Sequence, residues 1–211
     1  MEIDYVKIRR ANGYMYGGNQ NLFGKKARRS GCGMIAACDV ILYFQGKRSP
    51  TFSEYSEFVS KFRDEEAYRG TSNPIGIFPR RLAAMINSHL KNGEYVFLSR
   101  RKFDREGLRE FIGNSISQGS PVIVRIGANG KKLPYKIKFP DSGNRSTEGK
   151  TDWHYITVTG MTDSGTLIFS SWGGRGELDC DLLHRYFGIT GGVIADKKIP
   201  IHDGKRLSPK N

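Results

Sequence analysis

Arg29-Ser30-Gly31-Cys32-Gly33-Met34-Ile35-Ala36-Ala37-Cys38-Asp39-Val40-Ile41-Leu42-Tyr43-Phe44 decides how this chain is read. From Met34 onward the run is apolar almost all round, as a helix buried on every side is. The Ser-Gly turn ahead of it puts Cys32 at the helix N-terminus. There, unpaired backbone N–H groups and the helix dipole favour an anion, and a thiol pKa tends to fall. Glycine on both sides of Cys32 leaves room for a substrate backbone to approach the sulfur. A lone cysteine is also commonly a small core hydrophobe, so Cys32 reads as a nucleophile or as packing.

A second stretch bears on that choice. Trp153-His154-Tyr155-Ile156-Thr157-Val158-Thr159-Gly160 is rich in β-branched and aromatic residues and predicts a strand with His154 near its start. A turn at 162–165 leads to a second strand, Thr166-Leu167-Ile168-Phe169-Ser170-Ser171, which ends in Trp172-Gly173-Gly174. The short polar connection predicts an antiparallel hairpin. The start of its first strand then lies beside the end of its second, so His154 is expected next to Ser170-Ser171.

In this order of residues the chain resembles the papain-like cysteine peptidases. Ser170-Ser171-Trp172-Gly173 is similar to the family's Asn-Ser-Trp-Gly, and the spacing from His154 to Ser170 equals the family's histidine-to-asparagine gap. In style the chain looks closest to the compact bacterial branch that contains the bacteriocin-leader (double-glycine) peptidases. The features are a Gly-Cys-Gly helix start, a helix ending in Tyr-Phe, the strand Gly119-Ser120-Pro121-Val122-Ile123, and His-x-x-x-Val-x-Gly from His154 to Gly160. The resemblance spans about residues 19–196 and implies a Cys32 nucleophile with His154 as its base. A thiol attacks only as thiolate, and an imidazole can take its proton near neutral pH and return it to a leaving group.

Two positions depart from the family pattern. Ser170 stands where the family has asparagine or aspartate, so either its short hydroxyl orients His154 or it is an ordinary strand residue; Asp152 and Asp179 are alternatives away from the matching position. The family's oxyanion glutamine precedes the cysteine closely. Here the nearest is Gln20, further upstream, separated from Cys32 by a basic insertion that includes Lys25, Lys26, Arg28 and Arg29. Gln20 is the expected donor, with Asn19 and Asn21 as substitutes and a plain polar turn as the bland alternative.

The 211 residues suit one domain over 1–197 with a basic tail at 198–211. Apolar periodicity predicts helices over 32–45, 53–66, 78–91 and 104–117, with a short one at 179–187. It predicts strands over 94–99, 121–126, 135–139, 153–160, 166–171 and 192–196. Helices segregated from a mainly antiparallel sheet make an α+β fold, expected to be papain-like, with the nucleophile helix of an N-terminal helical half packed on a C-terminal antiparallel sheet. The loops at 127–132 and 141–151 are expected to flank the site.

Three scattered cysteines, Cys32, Cys38 and Cys180, offer no zinc spacing and no disulfide pattern. No cofactor or metal is expected. No apolar run is long enough for a membrane span, and a cytoplasmic location is expected, or secretion after removal of a signal. The net charge of +13 and pI of about 9.7 would suit nucleic acid. However, the basic residues are scattered and no helix-turn-helix or aromatic RNA-binding signature accompanies them. The expected partner is a peptide or protein substrate, with acidic ones favoured by the field. Three functions follow: a thiol peptidase, an acyltransferase or deamidase using the same dyad, and an inactive papain-like basic binding module.

Overall fold

Residues 32–44 contain no proline and no glycine after Gly33, and every side chain from Gly33 to Tyr43 is buried. A helix with no polar face must be wrapped on all sides, and the rest of the chain is arranged to do this. The structure, a computed structural model, describes residues 1–68, 77–91, 94–127, 132–188 and 190–201. The chain opens with a small hairpin, β1 (Lys7–Arg10) and β2 (Gly13–Tyr16). Then come α1 (Gly24–Ser30), α2 (Cys32–Phe44), α3 (Phe52–Tyr68) and α4 (Pro79–His89). The second half holds β3 (Tyr95–Ser99), α5 (Arg105–Ser117), β4 (Val122–Ile126), β5 (Leu133–Phe139), β6 (Arg145–Thr151), β7 (His154–Met161), β8 (Thr166–Ser171), β9 (Gly174–Asp179), α6 (Cys180–Tyr186) and β10 (Gly192–Asp196).

The class is α+β. Eight strands form one antiparallel sheet in the order β3-β10-β4-β7-β8-β9-β5-β6. Its central strands are apolar on both faces, as strands covered on both sides are. Ile123, Tyr155 and Ile194 pack with α2, α3 and α4 into one core. Val122, Val124, Ile126, Ile156, Val158 and Phe169 pack with α5 and α6 into a second. Helices therefore cover both faces of the sheet. The second covering layer, α5 and α6, departs from the expectation of one helical half against a sheet, because apolar periodicity does not say which face a helix covers.

The apolar helices and strands lie within a few residues of their predicted bounds. Unforeseen are β1, β2, β6, β9 and α1. Strand β6 (Arg-Ser-Thr-Glu-Gly-Lys-Thr) is polar throughout and mostly exposed at the sheet edge, so it has no period-2 apolar signal to read. In β9 the inward positions include Gly174 and Gly176. Packing runs past Lys197, since Ile199 is buried in the second core. The tail from 202 on lies outside the described residues, as do 128–131 of the loop expected to flank the site.

Phe169 and Gly176 face each other across β8 and β9, and a Cβ at Gly176 would run into the Phe169 ring. Phe169→Ala should cost about 3–5 kcal/mol, as large-to-small core changes do. Gly176→Ala alone should also destabilise. Together their effects should fall short of the sum in urea unfolding, because the new methyl enters the vacated space.

Candidate functional site

Cys32 is the first residue of α2, and its thiol is half-buried at the open end of that helix. The sulfur faces the backbone N–H groups of Tyr155, Gly33 and Cys32 itself. Gly33 permits this approach, because a Cβ there would sit 3.1 Å from the Tyr155 ring. The next residue back along β7 from Tyr155 is His154, which is buried. Gln20, Cys32, Asp39, His154, Ser171 and Trp172 line one crevice. At about 10 Å³ the crevice offers barely the room one water needs. A large ligand would have to lie across its mouth.

Ser171, not Ser170, bonds the imidazole: its Oγ is 2.7 Å from His154 Nε2. The expectation for Ser170 is corrected by a β-bulge. Gly160 pairs with Ile168, yet Val158 pairs with Phe169, so β7 carries one extra residue there. One extra residue exchanges the two faces of everything beyond it. Ser170 therefore pairs with Thr157, and Ser171 shares the His154 face. The Ser170 hydroxyl instead donates to the Tyr16 carbonyl at 2.8 Å. Asp179 is occupied as the N-cap of α6.

Trp172 stacks on the His154 ring, with centroids 4.1 Å apart and planes within 5°. Behind it the indole meets Tyr135 at 5.0 Å. Trp172 (φ 50°) and Trp153 (φ 48°) both have left-handed backbones, which bulky residues rarely adopt and which concentrate at functional sites. One tryptophan follows Ser171 directly and the other precedes His154.

Gln20 reaches the crevice. It is 8% exposed, and its Nε2 donates to the Arg28 carbonyl at 2.8 Å. The basic insertion between Gln20 and Cys32 folds as α1, which brings the chain back beside its starting point. Asn19 caps the turn at Gln20–Leu22 through the Asn21 N–H, and neither asparagine lines the crevice.

The Gln20 loop is tied down from behind. Asp39, two turns along α2 from Cys32, accepts from the Gly18 N–H at 2.8 Å and from the Tyr55 hydroxyl at 2.7 Å. Ser170 holds the same segment through Tyr16. Gly17 has φ +70°, and a Cβ there would lie 2.7 Å from the Asp39 carboxylate, so only glycine fits. Neither tether was foreseen. Asp39 in an otherwise apolar helix was the available signal, because a buried carboxyl needs dedicated donors.

Arg125 was also missed. It lies opposite Tyr155 across β4 and β7 and is 8% exposed. Its guanidinium sits 5.2 Å from the Trp153 ring and donates to the Thr190 carbonyl. Among the described residues no carboxylate pairs with it.

The electrostatics reverse one expectation. Burial pushes the Cys32 thiol up, and the N–H groups of Tyr155, Gly33 and Cys32 and the Arg125 charge only partly offset it. Burial likewise depresses His154 to about 3. Among the described residues no hydrogen bond joins the two. Both groups rest neutral, because desolvation of either charge outweighs the helix N-terminus. Also among the described residues, no group of three or more His, Cys, Asp or Glu is placed to hold a metal ion, and no helix is long and apolar enough to cross a membrane. Comparison with protein-family models and with curated proteins gives no match for this chain.

Two predictions follow from these contacts. Burial raises Asp39 to about 7 from 3.8. Its folded pKa lies above its unfolded one, so its stabilising contribution is present at acid pH and is lost as pH rises from about 4 through 7. His154 acts oppositely, losing stability as pH falls below about 6.5. The difference between wild type and Asp39→Asn isolates the first effect. Urea midpoints should fall between pH 4.5 and 8 by more in wild type than in the variant. Separately, Ser171→Ala should change the His154 ring signals and their titration in NMR. Ser170→Ala should leave them in place and cost about 1 kcal/mol of stability.

Proposed function

We propose that this chain is a papain-like thiol hydrolase that cleaves peptide or isopeptide bonds through a Cys32 thioester. The observation that carries the reading is the gathering of Cys32, His154 and Gln20 from three separate segments of the chain onto one crevice, with the imidazole bonded on one nitrogen and covered by Trp172. Such an arrangement suits a base whose position and tautomer matter.

Ser171 occupies Nε2, so Nδ1 is the nitrogen that serves the thiol. In the first half-reaction Nδ1 takes the Cys32 proton as the sulfur attacks the substrate carbonyl carbon. The C=O electron pair moves onto oxygen, which the Cys32 N–H and the Gln20 amide stabilise. Collapse of this intermediate expels the amine, which takes the proton from Nδ1 and leaves the thioester. Water then gives a proton to Nδ1 and attacks the thioester. Expulsion of the sulfur, reprotonated from Nδ1, releases the acid. Because both groups rest neutral, proton transfer accompanies attack instead of preceding it as a standing ion pair.

The same neutrality favours a second reading, a papain-like binding module without turnover. Alkylation by iodoacetamide, followed by peptide mass spectrometry, separates the two. The hydrolase reading expects Cys32 to label faster than Cys38 and Cys180 near pH 7, with His154→Ala slowing it by about 10²-fold, the usual contribution of a general base. A Cys32 rate that His154→Ala leaves unchanged would favour the binding module.

A further inference from the structure

Helix α1 is poorly made at its N-terminus, although Arg28 and Arg29 in its last turn suit the dipole. It has seven residues, its N-cap Phe23 supplies no side-chain hydrogen bond, and no acidic residue lies in its first turn. Lys25 and Lys26 instead occupy that turn, at the positive end of the dipole. At 3.6 residues per turn, Lys25, Lys26, Arg28 and Arg29 fall within an arc of about 160°. Ala27, on the opposite side, is buried. Like charges three and four residues apart repel one another. No carboxylate relieves them: among the described residues none of the four has an acidic partner, and the sequence holds no Asp or Glu between Asp4 and Asp39. Four exposed cations on a short, uncapped helix form a surface that an anionic partner would stabilise.

The helix also belongs to the site. Its C-terminal end runs through Gly31 directly into Cys32, and its Arg28 carbonyl holds the Gln20 amide in the crevice. Whatever steadies α1 steadies Gln20.

We propose that the charged face of α1 docks an acidic segment of the polypeptide substrate beside the crevice that Gln20 and Cys32 line. This rests on the thiol-hydrolase reading. An extended acidic peptide fits better than nucleic acid. Helix α1 presents no aromatic side chain on which bases would stack.

The test uses a short fluorescein-labelled Glu-rich peptide, its Gln-for-Glu counterpart, and a single-stranded oligonucleotide of equal charge, read by fluorescence anisotropy at moderate salt. One variant carries Lys25→Gln, Lys26→Gln, Arg28→Gln and Arg29→Gln. These changes keep the Arg28 carbonyl and remove like-charge repulsion, so the fold is retained. The control carries Lys47→Gln, Lys61→Gln, Lys91→Gln and Lys198→Gln, with the same change in net charge. The α1 variant should bind the Glu-rich peptide about tenfold more weakly than wild type, and the control within about twofold. Peptide at about three times the wild-type Kd, which fills about three quarters of wild type and about a quarter of the α1 variant, should slow iodoacetamide labelling of Cys32 more in wild type than in the variant. Equal losses in the two variants, binding of the Glu-rich peptide no tighter than that of its Gln counterpart, or tighter binding of the oligonucleotide to the same face would each overturn the proposal. None of these outcomes touches the hydrolase reading, which the effect of His154→Ala on Cys32 labelling decides without any peptide.

Discussion

Everything in this molecule follows from the need to bury α2. A thirteen-residue helix with no polar face has to be enclosed by α3, α4, the sheet and the loop after β2. Only its two ends reach solvent: Phe44 is exposed at one, and the half-buried Cys32 is at the other. The helix's one carboxyl, Asp39, is enclosed with it, and its need for donors recruits the Gly18 N–H and the Tyr55 hydroxyl. The loop carrying Gln20 is held against α2 because a buried carboxyl without partners would be too costly.

The sheet supplies the other side of the crevice by a similar constraint. Strand β7 is buried along almost its whole length, and His154 sits at its first residue, where the strand emerges from between two helical layers. The imidazole is held by Ser171 on one edge and by the Trp172 ring on its face. Trp172 reaches that position through a left-handed backbone, a local strain that the packing of its indole between His154 and Tyr135 sustains. Burial that fixes the geometry also neutralises the groups, raising the thiol and depressing the imidazole. The buried Arg125 charge acts against that trend on the thiol.

The readable parts of the chain were those with apolar periodicity. The helix from Cys32, the strand from His154 and the strand ending at Ser171 all announce themselves, because their cores require particular residues at particular intervals. The polar edge strand β6 carries no such requirement, since one of its edges and most of its side chains meet water. Helix α1, with Ala27 as its only buried residue, likewise reads as an insertion.

The sequence by itself determined where the apolar helices and strands form, that Cys32 opens a buried helix, and that His154 and the end of its partner strand are neighbours. These are local or nearest-neighbour properties of hydrophobic pattern and turn chemistry. Only the tertiary structure decided that Ser171 rather than Ser170 meets His154, because a single bulged residue in β7 exchanges the faces of a hairpin whose side chains alternate with period two. It alone decided that Gln20 returns to Cys32, since that depends on α1 folding the chain back. It also decided the resting charge of the thiol and the imidazole, because desolvation is a property of the surrounding packing and not of the residue.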